Sequence, residues 1–143
     1  MLIPVDGFYE WFPTQQLGKS GKPLKQPFYI HPANPDDLLA LAGLYEFWRD
    51  PEKPDDDPDR WLMSFTIITT TATDDVGRVH DRMPMAVTPD NWEQWLDPRM
   101  DDIDTVQGLV APPTGLEIYA VSTAVNDVRR NNGPHLLDPV PAS

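Results

Sequence analysis

Two residues far apart in the chain have the side chains for acid–base chemistry near neutral pH. Glu10 lies in Gly7-Phe8-Tyr9-Glu10-Trp11-Phe12, and His80 in Val79-His80-Asp81-Arg82-Met83-Pro84. A carboxyl group among aromatic rings is desolvated and holds its proton to higher pH. Imidazole titrates near neutrality without help, and a neighbouring Asp81 or Arg82 could set its tautomer or pKa. If Gly7 to Phe12 is a strand, its two-residue period places Phe8, Glu10 and Phe12 on one face and Tyr9 and Trp11 on the other. Two orientations stay open from this pattern: Glu10 among the phenylalanines, or Tyr9 and Trp11 in the core with Glu10 in water. His80 likewise reads either as a working group or as a solvated loop histidine. His31 and His135 have less context, and three scattered histidines without a His-Glu-x-x-His spacing give a metal site little support. The sequence shows no phosphate-binding glycine loop and no Gly-x-Ser-x-Gly elbow, so no cofactor is expected.

The elements that must position these residues are short. Seventeen prolines forbid long helices and favour strands joined by ordered loops. The aromatic segment from Gly7 is predicted to be a strand ending at Pro13, with Gly18 to Pro23 as a turn and Pro27 to His31 as the hairpin partner. Leu38 to Trp48 is apolar throughout, and its Leu-Tyr-Glu-Phe-Trp end favours a strand over a buried helix. The acidic stretch 50–60 has nothing to bury and is read as a solvated loop. Trp61 to Thr71 resumes a β-branched run expected of a central strand. A helix is predicted from Thr88 as cap and Pro89 as first residue, with Trp92, Trp95 and Leu96 on one face against the sheet. A shorter helix is predicted over Asp104 to Val110, a strand over Glu117 to Val121, and a loop-like tail over 131–143.

Composition bounds the function. The chain has 143 residues, 40% hydrophobic and 24% charged, the balance of one globular domain. No stretch approaches the roughly 20 apolar residues of a membrane helix, and Met1 to Asp6 lacks the basic and apolar regions of a secretory signal, so the cytoplasm is the expected compartment. There is no cysteine, which rules out disulfides, thiolate zinc sites and thiol nucleophiles among these residues. The formal charge of -12 repels nucleic acid unless the few cations gather on one face.

Six segments in order nevertheless resemble the SOS response-associated peptidase (SRAP) family: Leu2 to Trp11, Lys25 to Ile30, Ala42 to Glu46, Thr66 to Thr70, His80 to Pro84 and Ala120 to Asn126. The resemblance implies an α+β fold, a curved, mostly antiparallel, barrel-like sheet with flanking helices, and residues 1–143 are read as a partial SRAP domain. In that family an N-terminal cysteine, freed by removal of the initiator methionine, attacks the open-chain aldehyde of an abasic site in single-stranded DNA. Its amine forms a Schiff base and its thiol closes a thiazolidine. By this resemblance Glu10 matches the glutamate that exchanges protons with the amine and the sugar. His80 matches the histidine of crosslink formation, reversal and autoproteolysis, and Thr69 a threonine lining the abasic pocket, with Arg82 a further DNA contact. The family's Met-Cys-Gly opening, its Asn-Ala-Arg-Ala-Glu-like motif and its phosphate-gripping arginines precede the matched stretch. The chain is therefore expected to be N-terminally truncated, with Leu2 blocking methionine removal, and the family's basic groove is expected to lie largely in the absent segment.

Three readings follow. The chain carries the acid–base half of a split DNA-crosslinking site, or it is a hydrolase using Glu10 and His80 on a peptide, or it is an interaction module without chemistry. The acidic surface leans toward the third for the chain taken alone.

Overall fold

The computed structural model describes residues 1–34 and 36–141, apart from the side chains of residues 74 and 75. Ten strands dominate it: β1 (Leu2–Val5), β2 (Phe8–Leu17), β3 (Pro23–Pro32), β4 (Leu39–Arg49), β5 (Trp61–Ile67), β6 (Thr69–Thr71), β7 (Arg82–Pro84), β8 (Ala86–Val87), β9 (Val110–Ala111) and β10 (Leu116–Ala120). Two short helices, α1 (Trp92–Leu96) and α2 (Ile103–Gly108), accompany them. The fold is thus α+β and mostly antiparallel. No closed barrel forms among the described residues: the strands fall into a β1-β4-β8-β9 sheet with β5 joined to β4, a β10-β3-β2 sheet, and a β6-β7 pair.

The β2–β3 hairpin turns at Gly18 to Lys22, where the Gly18 N–H donates to the Lys22 carbonyl (2.8 Å) and Gly21 takes a positive φ of 73°. The sequence predicts that β2 ends at Pro13, yet the strand runs on to Leu17. Proline lacks a ladder donor, but β2 is an edge strand, and the register with β3 shifts between Pro13 and Leu17, so the ladder absorbs it. Upstream, Gly7 joins β1 to β2 under the Tyr29 ring. A Cβ there would sit 2.5 Å from the Ile30 carbonyl oxygen and 2.6 Å from the ring, a space that only glycine fits.

Both faces of the β10-β3-β2 sheet are covered. On one, Ile30, Val76 and Met83 are buried with Phe8, Leu116 and Ile118 packed against them. On the other, Tyr29, Val121 and Val125 are buried beneath Tyr9, Trp11, Tyr119, Leu136 and Leu137. The tail builds part of that second cover. It contains a 3-10 turn at Pro134–Leu137, a bridge from Val121 to Pro139, and a 2.9 Å bond from the Tyr119 hydroxyl to the Leu137 carbonyl, so it is more ordered than its loop-like composition predicts. The last two residues of that tail, Ala142 and Ser143, lie outside the described residues.

Three further expectations need correction. Trp61 to Thr71 is not one central strand but β5 and β6, broken at Ile68. There the N–H turns to the Ala42 carbonyl (2.9 Å) and the carbonyl accepts from Met85 (2.8 Å). β5 pairs only with β4. The helix expected from Thr88 is a 3-10 turn over Pro89–Asn91 followed by the five residues of α1, and Thr88 makes no capping bond through its side chain. Trp92 and Trp95 do dock, their indole N–H groups donating to the carbonyls of Val87 (2.8 Å) and Met1 (2.9 Å), but Leu96 is exposed. The second helix spans Ile103–Gly108, with the Asp102 side chain capping Thr105 N, because Val110 is already in β9.

Candidate functional site

Glu10 and His80 meet because one apolar cluster serves both. The β2–β3 register pairs Phe8 with Ile30 and Glu10 with Phe28, so the phenylalanine face of β2 lies toward the buried Ile30. The chain between β6 and β7 folds back on that same face. Its 3-10 turn at Asp74–Arg78 inserts Val76 beside Ile30 and Met83, and the N–H groups of Val79 and His80 both donate to the Val76 carbonyl (2.9 and 3.0 Å). The Ala72 N–H donates to the Asp81 carbonyl (2.9 Å) and closes the loop. Val76 is thus the anchor that hangs His80 over β2. The open orientation of Glu10 is settled on geometry: Tyr9 and Trp11 do pack inward on one cluster, and Glu10 is still partly covered on the other face, its side chain 23% exposed.

The His80 Nε2 lies 3.9 Å from the Glu10 Oε2. That gap is too long for a direct hydrogen bond and suits an atom held between the two groups. On its other side the ring is fixed by the backbone, with Nδ1 3.1 Å from both the Arg82 N–H and the Arg82 carbonyl and 3.4 Å from the Asp81 carboxylate. If Nδ1 accepts from the Arg82 N–H, Nε2 carries the proton that faces Glu10. If it donates to the Arg82 carbonyl, Nε2 is a base. Burial pushes the Glu10 carboxyl above its usual value, and this outweighs the opposing pull of His80, the Trp11 N–H and Lys25. A carboxyl raised in this way beside an imidazole has the chemistry to exchange protons with a bound group.

Around the pair is an open cavity of about 520 Å³, lined among the described residues by Glu10, Trp11, Lys25, His80 and Asn126. Three of these were not singled out from sequence. Strand alternation leaves the core as one of two orientations for Trp11, and it does pack there. Its indole N–H also reaches the cavity wall, donating to the Asn126 Oδ1 at 2.7 Å. Asn126 closes the 3-10 turn Thr123–Asn126, whose N-terminus is capped by Ser122 Oγ accepting from Ala124 N (3.2 Å) and whose Val125 is buried. Lys25 sits on β3 and lines the cavity, its charge opposing the upward shift of the Glu10 pKa. Each lies at the end of one of the family-resembling segments, but no local pattern singles it out, because the three converge only through the β2–β3 pairing and the return of the 120–126 segment.

Thr69 and Arg82 are placed together but do not line this cavity. They flank the β6–β7 ladder, and the Arg82 Nη2 donates to the Thr69 carbonyl (2.8 Å) and to its Oγ1 (2.6 Å). The same guanidinium-bearing residue fixes the His80 ring through its backbone, so the ladder and the acid–base pair are mechanically joined. Among the described residues no group of three or more His, Asp or Glu side chains could hold a metal ion, and no helix is long and apolar enough to cross a membrane.

The antiparallel α+β scaffold has counterparts among known proteins. The family described as SOS response associated peptidase (SRAP) matches residues 1–128, and the chain belongs to that family. It is 37% identical over 139 residues to the abasic site processing protein YoqW of Bacillus subtilis, a match covering 96% of this chain and 56% of YoqW. It is 33% identical over 157 residues to the abasic site processing protein HMCES of Gallus gallus, covering 97% of this chain and 43% of that protein. A crystal structure of a Bacteroides thetaiotaomicron protein superposes with a TM-score of 0.70 at 22% identity, covering 98% of this chain and 56% of the other, which supports the fold. The chain therefore spans about half the length of these relatives.

Proposed function

We propose that this chain supplies the acid–base half of a site that captures abasic sites in single-stranded DNA. The observation that carries the reading is the Glu10–His80 pair, 3.9 Å apart across a 520 Å³ cavity, in a chain of the SRAP family. An abasic sugar in its open form presents an aldehyde and a hydroxyl. Imine formation needs a proton delivered to the departing carbinolamine oxygen and one removed from the attacking amine. Glu10, with its raised pKa, suits the first step and the His80 Nε2 the second, and the roles reverse when the imine is hydrolysed. Trp11, held by Asn126, forms a flat wall against which a base or sugar can rest.

The charge of -12 sets where DNA can approach. Arg49, Arg60, Arg99 and Arg130 are all engaged by aspartates. Lys19, Lys22 and Lys25 lie on the β2–β3 hairpin, Lys25 lining the cavity, and Arg82 lies exposed on the Thr69 ladder. A phosphate at the cavity meets the Lys25 ammonium. Since no cysteine is present, these residues alone cannot close a thiazolidine, and the thiol and amine come from another segment or molecule.

The test is equilibrium binding of a short single-stranded oligonucleotide with and without one abasic site, read by fluorescence anisotropy at low salt, followed by a denaturing gel. Tighter binding of the abasic strand, lost in Glu10→Gln and His80→Ala, with no band surviving denaturant, is the expected result. Equal affinity for both strands would remove abasic recognition from this chain. A surviving band would identify another amine as nucleophile, Lys25 being the one that lines the cavity. Cleavage of a generic peptide that depends on Glu10 and His80, without DNA preference, would transfer the pair to a hydrolase.

A further inference from the structure

Away from the cavity, β4 and β5 leave the body of the molecule as a two-stranded ribbon. Their register sets Tyr45 against Phe65, Phe47 against Met63 and Arg49 against Trp61 on one face, with Leu44 against Thr66 and Trp48 against Leu62 on the other. The large apolar side chains of these pairs are at least half exposed, up to 64% for Met63. The inner half of β4, Leu39 to Ala42, is by contrast buried. β5 reads Trp-Leu-Met-Ser-Phe-Thr-Ile, has no charged residue, and pairs only with β4, so among the described residues its outer backbone edge is unpaired. Edge strands of folded proteins are usually blunted by charge, proline or a covering element, and a lone two-stranded ribbon is marginal in water. An uncharged edge flanked by two apolar faces has the features of a surface made to be covered.

We propose that this ribbon is the docking surface for a strand-bearing polypeptide segment of net positive charge, equivalent to the part of its relatives' length that this chain does not span. Three observations select that occupant. YoqW and the Bacteroides protein each extend for nearly half their length beyond the matched region, enough chain to add strands to an open edge. The tip of the ribbon is the acidic loop carrying Asp50, Glu52, Asp55, Asp56, Asp57 and Asp59, on a chain of charge -12, which draws a basic segment. A second copy would bring another -12 to the interface, so self-pairing is opposed. The binding mode is strand addition: main-chain bonds to β5 give affinity, and alternate side chains seat between Phe65 and Met63 on one face and against Leu62 and Trp48 on the other.

The experiment mixes the full 143-residue chain with the unmatched part of Bacillus subtilis YoqW, produced as a separate polypeptide. Light scattering after size exclusion gives the stoichiometry, and hydrogen exchange gives the contact. A one-to-one complex is expected, weakened by salt, in which the amides of Leu62 to Phe65 exchange at least about tenfold more slowly. Leu62→Lys and Phe65→Lys are expected to weaken association by about tenfold or more, with the far-ultraviolet circular dichroism unchanged. Should either variant misfold, exchange in the unmodified chain decides the matter alone. Absence of a complex, a complex that leaves β5 exchange unaltered, or a homodimer that protects the ribbon would each overturn the proposal.

Discussion

The β10-β3-β2 sheet and the β4–β5 ribbon are built from similar residues and have opposite fates. Each is rich in aromatic side chains, and each is antiparallel. In the sheet, both faces are covered, one by the His80 loop through Val76 and the other by the 120–137 segment through Val125, Leu136 and Leu137. In the ribbon neither face is covered by the described residues, and Trp48, Phe65 and Leu62 are more than half exposed. Apolar composition therefore does not decide burial; the availability of a covering element does. The covered sheet carries the acid–base pair because covering is also what partly desolvates Glu10.

This contrast can be broken by truncation. Ile30→Ala removes a fully buried side chain shared by both strands of the hairpin and by the Val76 anchor, and should cost about 2–5 kcal/mol in chemical denaturation. Leu62→Ala, of similar size but 58% exposed, should cost less than about 1 kcal/mol. Comparable losses at the two positions would mean that the ribbon is packed in solution and the comparison fails. Between these lies Trp11→Phe, which keeps the ring in the Tyr29 cluster and deletes the bond to Asn126. A loss of about 1 kcal/mol is expected, with weakened binding of abasic oligonucleotide. The smallest effect is electrostatic. The Glu10 carboxyl binds its proton more tightly in the folded chain than in the unfolded one, so its contribution to stability is present below the ordinary carboxyl pKa and is lost as pH rises through the raised value. Glu10→Gln should accordingly melt slightly higher than the parent at pH 7, and the two should converge below about pH 4.5. A gap that widens in acid would contradict burial as the cause.

The sequence made parts of this plain. Alternation in Phe8 to Phe12 gave the face shared by Phe8 and Glu10, and glycines 18 and 21 gave the hairpin turn, because both are local patterns. His80 could be named as a candidate from its charged neighbours, but its approach to Glu10 depends on Val76 packing against Ile30, a contact that no local pattern records. Trp11, Lys25 and Asn126 fall inside the family-resembling segments, but their meeting at the cavity is not legible for the same reason. Thr69 and Arg82 were expected at the abasic pocket by resemblance; the structure ties them to each other on the neighbouring ladder, and a role there remains part of the proposal. The break at Ile68 is not legible because a continuous β-branched run gives no sign that one residue bonds both to Ala42 of β4 and to Met85.

The central claim is that Glu10 and His80 act as one proton-handling unit on an abasic sugar, and it can be tested without any other part of the family domain. The dipeptide Cys-Gly, whose terminal amine and thiol supply the missing nucleophile, is mixed with abasic single-stranded oligonucleotide, and the rate of thiazolidine formation at the sugar aldehyde is followed by mass spectrometry with and without the chain. One water leaves as the imine forms, and the thiol then adds across it. The chain should accelerate the reaction, by up to about a hundredfold if the general acid–base contribution is fully expressed, and Glu10→Gln and His80→Ala should each abolish most of that gain. A rate equal to that of the dipeptide alone, or an acceleration that survives both substitutions, would contradict the assignment of the pair.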